Sequence, residues 1–341
     1  MNDDMYEGEP GVAEVQKRGL AKNAAKLGII LILYDIVFLY LSKKAFLYLY
    51  YWFATRNFTR DKTIINAFYA NTDNFSSYTA FEMIYSCGVV LMSLVLVIIA
   101  ARIMGVKLLS AFKSEEKGAV KGGFTAFPVA LLINSAVTTI VSFVVNRIES
   151  SGTVIPSADF SISDPNAAAI IFEALYLVVV APLAEELIYR GLVLKTIAPY
   201  GKKIAIFVSA LFFGLMHGNI KQFIGAFICG IIFASVDIKY GSIIPSLIIH
   251  ALNNALPTIY NIGSAVDSNI LMVAYYVLLY SVMFVGIYIF LSKYKTFTIG
   301  KEPETSLTNG DKIKAITLNI PTLYAVYLLY VLINTIVAAN V

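Results

Sequence analysis

The chain contains two histidines, His217 and His250, and both sit in strongly apolar segments beside other polar residues. Upstream, a third apolar segment ends in Glu185, Glu186 and Arg190. Placing a charge at the centre of a membrane helix costs roughly 2.5 to 3.5 kcal/mol on insertion scales. A sequence that spends both histidines, two adjacent carboxylates and an arginine in such segments reads as building a site. Residues four apart share a helix face. Glu186 can therefore pair with Arg190, Phe213 lies beside His217, and Asn254 lies beside His250. Asn253, three residues from His250, falls near the same face. Glu185 is turned about 100° from Glu186 and can point elsewhere.

Two neighbouring carboxylates in a low-dielectric site cannot both ionise freely. Arg190, one turn on, holds one of them charged, and the other is then available as a base. A histidine can share a water with that base. A histidine–asparagine pair can donate hydrogen bonds to a developing oxyanion. This is a kit for hydrolysing an amide with water as the direct nucleophile. No serine nucleophile elbow accompanies it, and neither Cys87 nor Cys229 is close in sequence to these histidines.

Plainer readings exist for each part. Glu-Glu-x-x-x-Arg on a soluble helix is usually a solvated salt bridge, but here an apolar run precedes it. A lone membrane histidine is as often a helix–helix hydrogen-bonding residue as a catalyst, and Asn253 and Asn254 can serve as interhelical glue. Asp35, Asn134 and Glu173 are read as packing or cavity-lining residues. Gly225, Gly230 and Ala234 are read as close helix packing, and Pro182 and Pro245 as helix-end or kink residues.

The elements that must position these residues are apolar. Of 341 residues, 58% are hydrophobic and 14% charged, against roughly 25% charged in soluble domains. The mean hydropathy is +0.75. The excess is gathered in long blocks, which implies an all-α, polytopic membrane helical bundle of about 8–9 transmembrane helices around an internal hydrophilic cavity. The expected spans are 27–42, 83–101, 124–145, 167–188, 204–217, 220–236, 243–256, 270–291 and 316–337. Those starting at Ile204, Ile220 and Ile243 are short for a bilayer, which is tolerated where they line a protein-enclosed cavity. The two cysteines form no disulfide framework or zinc-finger spacing.

The parts divide into a polar cytoplasmic segment (1–26), N-terminal membrane helices (27–165), a core that holds the chemistry (166–257) and C-terminal helices (258–341). The first span is read as uncleaved. With the N-terminus cytoplasmic and nine alternating spans, most of the 26 lysines and arginines fall on the cytoplasmic side, as the positive-inside rule requires. Segment 43–82 is discordant, and its stretch 46–53 looks like an interfacial aromatic segment. The fourth span then carries Glu185 and Glu186 near its cytoplasmic end. Residues 301–312 read as a solvated loop. The net charge of +4 reflects this topology and not nucleic-acid binding.

Three stretches together resemble a known family: 181–191 with Glu185, Glu186 and Arg190, 213–217 with Phe213 and His217, and 240–254 with His250 and Asn254. They are similar to the Glu-Glu-x-x-x-Arg, Phe-x-x-x-His and His-x-x-x-Asn motifs of the CPBP intramembrane proteases, also called CAAX-protease and bacteriocin-processing (Abi) proteins. The resemblance covers about residues 167–257, roughly a quarter of the chain. It implies a metal-independent glutamate protease, with no cofactor, in an all-helical bundle. Glu185 would be the general base and His217 its partner on the water. Glu186 and Arg190 would order the site, and His250 with Asn254 would form the oxyanion hole. The implied partners are the lipid bilayer and a peptide or protein substrate, lipid-anchored and membrane-embedded ones included, in a bacterial cell membrane. Three rivals stand beside it: a zinc peptidase using both glutamates and both histidines, a non-proteolytic immunity or scaffold member of the same family, and a proton-coupled transporter. The first lacks a His-Glu-x-x-His helix, and Arg190 would oppose a dication. The last lacks the paired interrupted segments of two transporter halves.

Overall fold

The computed structural model describes residues 11–35, 48–49, 51–52, 55–64, 78–156, 162, 166–293 and 301–338. Among them every regular element is helical. In chain order the main helices are α1 (Val12–Asp35), α2 (Tyr78–Met104), α3 (Ala119–Glu149), α4 (Ala167–Tyr200), α5 (Lys202–Leu215), α6 (Ile220–Tyr240), α7 (Ile244–Ala265), α8 (Asn269–Lys293), α9 (Asn309–Thr317) and α10 (Ile320–Ala338). A short 3-10 turn, Leu108–Phe112, joins α2 to α3.

Among the described residues four helices are long and apolar enough to cross a membrane: α3, α4, α6 and the stretch Asn269–Ser292 of α8. The nine expected spans exceed that number. α5 has only 14 residues, about 21 Å at 1.5 Å per residue. Residues 36–42 of the expected first span, and 46, 47, 50 and 53 of the aromatic stretch, lie outside the described residues.

α5 and α6 form an antiparallel hairpin, and α6 also packs against α3 and α7. The hairpin closes tightly because Gly230 faces Ala210: a Cβ on Gly230 would meet the Ala210 Cα at 3.0 Å. Small residues at such crossings let backbones approach. α6 ends in Gly241 at φ +67°, whose N–H bonds to the Asp237 carbonyl, the left-handed cap that glycine adopts most easily. The chain then turns straight into α7.

Two expected boundaries move. The fourth span was drawn to Ile188, but α4 continues to Tyr200. Glu185 and Glu186 therefore sit in the middle of a 34-residue helix and not near its end. Lys195, Lys202 and Lys203 lie beyond them, and Lys195 Nζ reaches the Ser110 carbonyl at 3.4 Å. The expected loop 301–312 also ends early, at Thr308. Thr308 and Asp311 form a capping box that starts α9, because the two side chains satisfy free backbone N–H groups reciprocally. Hydrogen bonding to the Thr308 hydroxyl, with Lys17 3.3 Å away, holds the Asp311 carboxyl below its ordinary value. That contribution is present at neutral pH and fades as pH falls through the lowered value.

Candidate active site

α4 is not uniform. A short α segment, Ala181–Glu186, lies between two π-helical segments, Tyr176–Val180 and Leu187–Leu194. π-segments inside α-helices recur at functional sites. The two glutamates end the α segment and point in different directions. Glu186 and Arg190 are both completely buried, with Arg190 Nη1 3.0 Å from Glu186 Oε1. The same oxygen accepts from His250 Nδ1 at 2.8 Å. Glu185 instead lines the large cavity. Its Oε2 has no hydrogen-bond partner among the described residues and lies 3.7 Å from His250 Nε2.

Arg190 is held on three sides. Its guanidinium stands 4.2 Å from the Phe213 ring centroid and 5.2 Å from that of Phe233. Its Nη2 points at the Gly230 carbonyl, 3.5 Å away. Aromatic faces attract a cation more strongly where water is excluded. Phe213 of the second motif thus touches the arginine of the first.

His217 sits just past α5, in the turn to α6. Its Nδ1 lies 2.8 Å from the Phe213 carbonyl. A carbonyl only accepts, so Nδ1 carries the proton and, in the neutral ring, Nε2 keeps a lone pair. Asn219 fixes this turn: its Nδ2 donates to the His217 carbonyl at 3.0 Å, and its Oδ1 caps α6 at the Gln222 N–H.

His250 and Asn254 project from α7, and both line the cavity. Asn254 Nδ2 donates to the Leu177 carbonyl at 2.9 Å, tying α7 to the first π segment of α4. The cavity has a volume of about 730 Å³ and is lined by Glu185, His217, His250 and Asn254, with Tyr176 and Gln222 beside them. A second cavity of about 210 Å³ lies on the other side of His217, His250 and Asn254, and Asn134, Thr138 and Asn253 line it. The structure therefore brings Glu185, Glu186, Arg190, His217, His250 and Asn254 into one cluster. Asn253 faces the smaller cavity.

Several contributors escaped the sequence. Asp237 is buried, and its Oδ1 accepts the Ser246 N–H at 2.9 Å, which fixes the first turn of α7, four residues before His250. Its position in the last turn of an apolar helix, ahead of Gly241, was the available signal. Asn219 and Gln222 were also missed, although Asn219 stands immediately before an apolar run, as helix caps do. Among the described residues no group of three or more His, Cys, Asp or Glu side chains is arranged to hold a metal ion.

Fold and site together define a helical protein with membrane-length apolar helices, in which Glu185 and two histidines line a cavity beside the buried Glu186–Arg190 pair. Residues 167–256 match the family model described as type II CAAX prenyl endopeptidase Rce1-like. The family that this model describes is a protease family, and the match together with the four apolar helices fits an integral membrane protein. No curated protein and no solved structure matches the chain.

Proposed function

We propose that the protein is an intramembrane endopeptidase that hydrolyses a peptide bond with a water activated by Glu185. One observation carries this reading: two adjacent carboxylates have opposite surroundings. Glu186 is buried, and one of its oxygens accepts from both Arg190 and His250. Glu185 lines the cavity with 19% of its side chain exposed and has no arginine paired with it among the described residues. A structural ion pair needs one carboxylate. The second is placed to take a proton from water.

In this mechanism the water sits between Glu185 and Nε2 of His217. Glu185 removes its proton as the oxygen attacks the carbonyl carbon. The C–N bond then breaks, and the proton passes to the leaving amine. His250 and Asn254 face the developing oxyanion. Nδ1 of His250 already donates to Glu186, so Nε2 can donate only if the ring carries both protons. Asn254 spends one amide hydrogen on Leu177 and keeps the other for the oxyanion.

The direct test is the purified protein in lipid vesicles with a library of peptides, followed by mass spectrometry of the products. We expect internal cleavage that survives prolonged treatment with a strong zinc chelator. Loss of cleavage that added zinc restores would replace this reading with a metallopeptidase. An intact library would remove the peptidase reading altogether.

A further inference from the structure

The cavity runs from the middle of the bundle toward one end, and that end is set by the helices themselves. α6 has 21 residues, so Ile220 and Tyr240 stand about 30 Å apart, close to the thickness of a bilayer core. The Tyr240 end belongs to a strongly basic face. There the Glu115 N–H bonds to the Tyr240 carbonyl at 2.9 Å and the Ile243 N–H to the Ala111 carbonyl at 2.9 Å. Lys195 joins the same layer through Ser110. The start of α1 is tied to the C-terminal region by Lys17 and Asp311, and Glu302 caps α5 at Lys202 and Lys203. Lys107, Lys113, Lys117, Lys121 and Lys239 lie along these same segments.

The opposite end carries Arg147 and Lys221, and Lys221 is neutralised by Glu149 at 3.0 Å. Segment 55–64, in the connection between α1 and α2, adds Arg56, Arg60 and Lys62. The basic excess still belongs to the Tyr240 end.

Three helices line the cavity, and they do so from about their middles toward the end opposite the basic face. α7 starts at the basic face, and its lining begins only at His250, then continues through Thr258, Asn261 and Ser264 to Ala265 at its far end. α4 contributes Tyr176 to Glu185, away from Tyr200. α6 contributes Gln222, next to its Ile220 end. Between Glu186 and the basic face the α4 residues Leu187 to Leu194 are all buried.

Lysine- and arginine-rich loops stay on the cytoplasmic side of a membrane. We infer that the catalytic cavity opens to the extracytoplasmic side, and that its substrate is a peptide presented there: an exported peptide or the outer juxtamembrane segment of a membrane protein. This rests on the peptidase reading for the word substrate, but not for the sidedness. A protein tail displayed in the cytoplasm faces the closed, basic end of the bundle.

The test is cysteine labelling of the full chain in intact cells with a membrane-impermeant maleimide, with the wild-type chain as the blank. Ser264→Cys is exposed near the end of α7, Asn261→Cys lines the cavity and Lys113→Cys is exposed on the basic face. We expect Ser264→Cys and Asn261→Cys to label in intact cells, and Lys113→Cys only after permeabilisation. The reverse pattern overturns the proposal. So does a cavity cysteine that labels only after permeabilisation while Ser264→Cys labels outside. Labelling needs no catalysis, so the expected pattern in a protein that cleaves nothing would remove the peptidase reading and leave the sidedness intact.

Discussion

Glu186 shows what burial does to a single side chain. It and Arg190 have no exposed surface, so removing one partner strands the other in an apolar interior. Breaking a buried pair costs about 3–5 kcal/mol. Arg190→Ala is therefore expected to lower the melting temperature of the purified protein as well as its activity, since Phe213, Phe233 and Gly230 lose their shared neighbour. An inactive variant with an unchanged melting temperature would assign Arg190 a purely chemical role. Asn254 lines the large cavity, and Asn253 lines only the smaller one. Loss of one oxyanion donor costs about 10²–10³ in turnover, and such a bond strengthens only in the transition state. Asn254→Ala is expected to lower kcat by about that factor with little change in KM, plus a small loss of stability from the Leu177 contact. Asn253→Ala is expected to be milder, and steady-state kinetics of the two variants decide the matter. A critical Asn253 with a silent Asn254 would reverse the assignment.

The residue types were legible in the sequence because each is expensive where it stands. Spacing gave the Glu186–Arg190 contact, since four residues remain one turn even where α4 loosens into a π-helix. Spacing could not show that His250 bridges the two glutamates from 64 residues away. Nor could it show that Phe213 packs on Arg190, because both contacts depend on how three helices cross.

Among the elements, α4 departs furthest from expectation. The expected fourth span stops at Ile188, just before Tyr189, Arg190 and Gly191. All three are buried, and the helix continues through them. Arg190 pairs with Glu186 inside the protein, so it does not mark a boundary. The capping box of α9 is the opposite case: a local signal that was present in the sequence and outweighed by the polarity around it. The α5–α6 hairpin depends on Gly230, where an added Cβ has backbone and Cβ of Ala210 at 3.0 Å. Overpacking of this kind costs about 1–3 kcal/mol. Gly230→Ala is expected to lower the melting temperature by a corresponding amount and to reduce activity, because the Gly230 carbonyl faces Arg190. Gly225→Ala is expected to do less. The neighbour there is the Oδ1 of Asn134, the end of a side chain that can rotate away. Thermal melts of the two variants compare them, and equal losses would mean that backbone approach is not what Gly230 provides.

At the scale of the molecule, the helical class and the membrane character follow from composition, because 58% hydrophobic residues in long blocks leave few soluble alternatives. Of the nine expected spans, four helices among the described residues have the length and apolarity to cross a membrane. Hydropathy registers apolar runs, but α5 is short and α7 carries His250, Asn253 and Asn254, so neither meets the length and apolarity of a spanning helix by itself. Their burial against α3, α4 and α6 makes them part of the bundle. The same assembly turns three weak motifs into one cluster with two unlike glutamates, and that unlikeness is the central claim. It is tested most directly by Glu185→Gln, which keeps the size and polarity of the side chain and removes its capacity to take a proton from water. The purified variant is expected to melt at the wild-type temperature and to show no measurable peptide cleavage in lipid vesicles. Retention of more than a small fraction of wild-type turnover would contradict the assignment of Glu185 as the base.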